Sequence, residues 1–148
     1  MKNGWIITKQ FEKKDEINKV EKYEKGTERI LLVDDEEMII NIEKEILERF
    51  GYTVTAYTSS SEALESFIAT PDSFDLIITD NSMPKITGVQ LAEKVVAIKP
   101  DIPVIICSGL NLNLDEDRKK ALGIKGVMIK PIDSFKLSKL LRKVLDNK

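Results

Sequence analysis

The chain has 148 residues, enough for one domain that builds a core of its own. With 42% hydrophobic and 32% charged residues and a net charge of −2, it is neither a disordered acidic tail nor a collagen-like polymer. The near balance of charge also argues against a domain that lives on nucleic-acid phosphates or anionic membrane.

The absence of histidine excludes His metal sites, His general bases and Ser-His-Asp triads. The single cysteine, Cys107, excludes an internal disulfide and fits a reducing cytoplasm. No apolar run approaches the roughly 18 residues a membrane span needs, and the N-terminus carries no apolar signal core.

Residues 1–28 carry seven lysines and six acids, interleaved, with Phe11, Ile17, Val20 and Tyr23 on a loosely helical spacing. They read as a charged linker or extension, and a compact domain is expected over residues 29–148. Ile30 to Val33 opens it as a short apolar run. The first helical pattern places Ile39, Ile42, Ile46 and Phe50 three or four residues apart, with Gly51 as its C-terminal cap. Tyr52 to Tyr57 alternates, as an edge strand does. Ser59-x-x-Glu62 opens a second helix through Leu64, Phe67 and Ile68.

Leu76 to Ile78 is the third apolar run. Thr87-x-x-Gln90 opens a third helix that Pro100 stops, and Val104 to Cys107 is the fourth run. A weaker helix is expected from Asn113-x-x-Glu116 to Gly123, then an apolar run at Val127 to Ile129. The last helix, after Asp133, carries Leu137, Leu140, Leu141, Val144 and Leu145 on one stripe. Apolar runs too short for helices read as strands buried on both faces of a parallel sheet. Five strands alternating with five helices predict an α/β fold, a doubly wound parallel sheet with helices on both sides.

In that class ligands bind at the carboxyl ends of the strands. Those ends carry Asp34-Asp35, Asp80, Ser108-Gly109 and Lys130-Pro131. Singly, such residues are commonplace: a helix cap, a turn hydroxyl, a solvated lysine. Gathered at one rim, three carboxylates about 4 Å apart would repel by about 4 kcal/mol per pair at an effective dielectric near 20. A hard cation such as Mg²⁺ relieves that repulsion and keeps positions open for a phosphate oxygen, while Lys130 and Ser108 supply donors. The set suits a carboxylate nucleophile that receives a phosphoryl group.

The segments Ile30-Leu31-Leu32-Val33-Asp34-Asp35-Glu36, Asp75 to Pro84 with Gly88, Cys107-Ser108-Gly109 and Met128-Ile129-Lys130-Pro131 carry a resemblance. In order and spacing, over about residues 29 to 146, the chain resembles the CheY-like receiver domains of two-component response regulators. The resemblance implies a flavodoxin-like (βα)5 fold with strand order 2-1-3-4-5. It implies that Asp80 accepts a phosphoryl group from a phosphohistidine of a sensor histidine kinase or histidine phosphotransfer domain. It further implies Mg²⁺ held by Asp35 and Asp80, by Asp34 through water, and by the backbone carbonyl of Ser82. Lys130 would contact the phosphoryl oxygens, Ser108 would turn its hydroxyl toward them, Gly109 would leave access, and Lys130-Pro131 would be cis.

Two positions depart from the family pattern. Val127 stands where a Tyr or Phe is usual, which removes the aromatic half of the switch and leaves the Leu110 to Asn113 loop to carry the signal. Asn81 follows the acceptor where an apolar residue is commoner. The charged lead-in and the stretches at Gly123-Ile124-Lys125 and Pro131-Ile132-Asp133 resemble the terminal receivers of hybrid sensor kinases. A hybrid-kinase origin is therefore expected ahead of a single-domain regulator, with any kinase activity elsewhere, the domain itself being no turnover enzyme. No helix-turn-helix or basic groove-binding helix is visible. The alternatives are a phosphorylation-independent interaction module, which Val127 favours, and a phosphohydrolase, which Ser82 disfavours because an acid is expected there.

Overall fold

The computed structural model describes residues 23–147. Five strands, β1 (Arg29–Val33), β2 (Thr53–Tyr57), β3 (Leu76–Asp80), β4 (Val104–Ser108) and β5 (Ile124–Ile129), form one parallel sheet of order β2-β1-β3-β4-β5. Between them run α1 (Glu37–Arg49), α2 (Ser60–Ala69), α3 (Gly88–Ile98), α4 (Glu116–Ala121) and α5 (Ser134–Asp146), with a short 3₁₀ turn at Pro71–Ser73. This is the expected doubly wound architecture.

The period-2 geometry of the strands divides the core in two. Ile30 and Leu32 point with Leu76, Ile78, Ile105 and Cys107 toward α1 and α5. Leu31, Val33, Ile77 and Ile106 point the other way, toward α2 and α3. Strands β1, β3 and β4 are therefore buried on both faces, as their continuous apolar runs imply.

Helix ends follow local chemistry. Ser59 Oγ accepts from Glu62 N–H at 3.2 Å, and Thr87 with Gln90 makes a complete capping box. Gly51, at φ +101°, ends α1 in the left-handed region, where a Cβ would also collide with the Gly26 carbonyl.

Two expectations need correction. The fourth helix was expected to open at Asn113, but Asp115 is its cap: Oδ1 accepts from Arg118 N–H at 2.8 Å, so α4 starts at Glu116. β5 was expected to be buried on both faces. It is instead one of the sheet's two outer strands, longer than its apolar run, with Lys125 exposed and Ile129 59% exposed.

Of the expected linker, residues 1–22 lie outside the described residues. Tyr23 packs its ring on Phe50 (5.1 Å between centroids) and Phe135 (5.6 Å), and Glu28 pairs with Arg142 of α5.

Candidate functional site

The crossover that puts β1 and β3 side by side brings the ends of both strands to one rim. Asp34 and Asp35 follow β1, and Asp80 is the last residue of β3. One carboxylate oxygen from each of the three lies within 4.8 Å of the others. Asp34 is 1% exposed and Asp80 is also buried, while Asp35 faces solvent. Asp34 Oδ1 accepts from Glu36 N–H at 3.0 Å, and α1 begins without a side-chain cap, so Asp35 is not spent as one.

Lys130, directly after β5, reaches into this cluster. Its Nζ donates to Asp34 Oδ2 at 2.8 Å and lies 3.2 Å from Asp80 Oδ1. The Lys130–Pro131 peptide is cis. Burial works against the ammonium, but the bonds to Asp34 and Asp80 outweigh it and hold its pKa above that of an ordinary lysine. Burial also raises the Asp80 pKa; Lys130 opposes this, while Asp34 and Asp35 add to it. One ammonium thus only partly offsets three acids, and the electrostatic field at the rim favours a further cation.

The surrounding backbone fixes Asp80 tightly. Asn81 N–H donates to the Cys107 carbonyl at 2.9 Å, tying the end of β3 to β4. Asn81 Oδ1 accepts from Val89 N–H at 3.1 Å, so this departure from the family pattern is a tie to the first turn of α3. Gly88 N–H donates to the Asn81 carbonyl at 3.1 Å, and a Cβ on Gly88 would stand 2.5 Å from the Asp80 carbonyl oxygen. Only glycine permits that approach. Ser82 is exposed in the turn that follows.

Ser108 ends β4, 2% exposed, its Oγ accepting from Leu110 N–H at 3.1 Å. A Cβ on Gly109 would meet nothing within 4 Å, so the rim stays open there. Val127 sits half-buried on β5 opposite Ile106 and packs into the α2–α3 side of the core.

The sequence reading missed Glu43. On α1 between the buried Ile40 and Leu47, it occupies the core-facing stripe and is only 7% exposed. Burial, reinforced by the Asp34 charge and opposed by Lys130, pushes its pKa up to about 7. Its helical spacing from Ile40 and Leu47 was the available signal.

A parallel αβ sheet whose first, third and fifth strands end in acids and a lysine defines a receiver-type phosphoryl-acceptor domain. The family model for the response regulator receiver domain matches residues 30–142, and the chain belongs to that family. It is 31% identical over 119 residues to the two-component response regulator ARR21 of Arabidopsis thaliana, covering 80% of this chain and 19% of that one. It is 27% identical over 119 residues to the aerobic respiration control sensor protein ArcB of Escherichia coli, covering 79% of this chain and 15% of ArcB. The chain therefore spans less than a fifth of either relative. Among solved structures, the response regulator TrrA of Thermotoga maritima, in complex with Mg²⁺-BeF, superposes with a TM-score of 0.71 at 28% identity. That match covers 80% of this chain and all of TrrA.

The donor set fits a divalent cation. It consists of hard carboxylate oxygens on a rim whose acids outnumber its lysine, and receiver domains bind Mg²⁺ at this acidic pocket. No helix among the described residues is long and apolar enough to cross a membrane.

Proposed function

We propose that Asp80 is the phosphoacceptor of a two-component phosphorelay. The observation that carries this reading is Lys130 Nζ shared between Asp34 and Asp80 at the rim where three carboxylates meet. An Asp80 oxygen would attack the phosphorus of a phosphohistidine on a sensor kinase or phosphotransfer domain. The P–O bond forms as the P–N bond breaks, and its electron pair returns to the imidazole.

Asp34, Asp35, Asp80 and the Ser82 carbonyl would hold Mg²⁺, whose charge offsets that of the phosphoryl oxygens. Lys130, already charged and aimed at Asp80, supplies a donor to those oxygens without reorganisation. Gly88 and Asn81 position the Asp80 backbone.

The output would run through Ser108. Its hydroxyl holds the Leu110 amide, so a turn of Oγ toward a phosphoryl group would release the loop at Leu110–Asn113. Val127 gives no aromatic movement, which leaves this loop as the reporter. The chain would be a switch that shifts between two states by its differential contacts, with any kinase activity in another part of a hybrid protein. The domain would act in the cytoplasm.

Intact mass after incubation with acetyl phosphate, with and without Mg²⁺ and beside Asp80→Asn, tests this. The expected result is one phosphoryl adduct that needs both Mg²⁺ and Asp80. An adduct that persists in Asp80→Asn overturns the assignment, as does none from either acetyl phosphate or a phosphorylated histidine kinase.

A further inference from the structure

Ser60, the first residue of α2, is only 4% exposed. Serines at helix starts ordinarily bond to nearby backbone, as its neighbour Ser59 does by accepting from Glu62 N–H. Ser60 instead donates across to another element, from Oγ to the Pro84 carbonyl at 3.2 Å. Pro84 lies in the loop from β3 to α3, two residues after Ser82. Among the described residues this is the one hydrogen bond that joins residues 82–87 to anything beyond β3, α3 and their own loop.

The carbonyl that Ser60 reaches also closes a tight turn. Ile86 N–H donates to the same Pro84 oxygen at 2.8 Å, with Lys85 between them at φ +67°. A three-residue turn with a positive central φ is the rare, strained γ-turn. Lys85 is the only non-glycine residue at positive φ among the described residues. Such backbone persists only where its surroundings hold it. The lysine is exposed and makes no ion pair among the described residues, so its own side chain does not do so. Met83, 8% exposed, fixes the loop in the α2–α3 side of the core, and Ser60 supplies the polar tie one residue on. Upstream, Met83 N–H donates to the Asn81 carbonyl at 3.1 Å, which closes a second three-residue turn over Ser82.

We infer that Ser60 is a positioning residue for the metal: by holding the Pro84 carbonyl it sustains the strained Lys85 turn and, through it, the Ser82 carbonyl beside Asp80. The inference rests on the reading in which that carbonyl is a Mg²⁺ ligand. A ligand oxygen ordered before the ion arrives need not be ordered by it, which favours binding.

The test titrates the full chain with Mg²⁺, followed by amide NMR, and measures hydrogen exchange of the Ile86 amide in the metal-free protein. Ser60→Ala is expected to weaken Mg²⁺ about three- to tenfold and to speed Ile86 exchange. Ser60→Thr keeps the hydroxyl and is expected to restore both. Lys85→Gly removes the strain, because glycine takes positive φ freely. In that background Ser60→Ala is expected to cost less than about twofold. The thermal midpoint of each variant is compared, since a merely structural serine would lower it and leave Mg²⁺ affinity unchanged.

Unchanged Mg²⁺ affinity in Ser60→Ala, beside a loss in Asp35→Asn, would overturn the inference and leave the metal site standing. A loss that neither Ser60→Thr nor Lys85→Gly repairs would overturn it equally, because Ser60 would then act by some route other than the turn. Mg²⁺ binding absent from the unaltered chain, or indifferent to Asp35→Asn, would overturn the metal reading and the inference with it.

Discussion

Individual residues at the rim trade stability for charge that a ligand can use. Glu43 shows the trade most clearly, because a leucine-like stripe position holds an acid. Its ordinary pKa of 4.5 rises to about 7 in the folded chain, burial being the main cause. Between those values the folded state binds the extra proton, so stability falls as pH rises from 4.5 to 7 and is level beyond. At 1.36 kcal/mol per unit the whole effect is at most about 3 kcal/mol. The charges of Asp34 and Asp80 add to the burial, so saturating Mg²⁺ is expected to shrink it. Urea unfolding of the unaltered chain and Glu43→Gln between pH 4.5 and 8 measures it. The glutamine variant is expected to gain relative stability progressively as pH rises and to hold a constant lead above pH 7. Parallel pH profiles for the two proteins would place the Glu43 carboxyl in water.

At the scale of elements, α5 is held to the sheet by a latch as well as by its apolar stripe. Arg142 Nη1 and Nη2 donate to Glu28 Oε1 and Oε2 at 2.7 and 2.8 Å, a bidentate pair. The same guanidinium donates to Asp146 at 2.6 Å and to the Tyr52 hydroxyl at 3.3 Å. Arg142 holds the Glu28 carboxyl well below the usual carboxylate range, at about 2. A depressed acid stabilises the fold above its unfolded pKa, and that contribution is lost as pH falls from 4.5 through 2. Solvent reaches the pair, so its worth is about 1–2 kcal/mol rather than the full shift. Glu28→Gln is expected to lose that amount at pH 7 and nothing near pH 2, read from chemical unfolding at both values. An undiminished difference near pH 2 would mean that Glu28 acts by packing and not by charge.

Across the whole molecule, what the sequence revealed depended on whether the signal was local or assembled by the fold. Strands β1, β3 and β4 were legible because burial on both faces leaves unbroken apolar runs. β5 was misread because its run, Val127 to Ile129, resembles theirs, while its outer position is set by strand order. The rim acids were legible because a parallel sheet brings all its carboxyl ends together. Glu43 escaped notice because a helical acid is ordinarily solvated, and only the docking of the Ile40–Leu47 stripe of α1 on the sheet buries it. The domain's start was the hardest to place. Gly26-Thr27 suggested a boundary after residue 28, yet Tyr23 stacks on Phe50 and Phe135 and shares a hydrogen bond with Ser134 at 3.2 Å. These partners lie far along the chain, so nothing local announces them. If residues 23–28 are part of the folding unit, a chain beginning at residue 29 loses the aromatic contacts and the Glu28 latch together. At about 1 kcal/mol for the ring contacts plus the latch, the loss is about 2–3 kcal/mol. For a domain of this size that is a fall of about 10 °C in Tm relative to a chain beginning at residue 23. Calorimetry of the two chains decides it. Equal midpoints would return the boundary to residue 29 and reduce the Tyr23 packing to a surface contact.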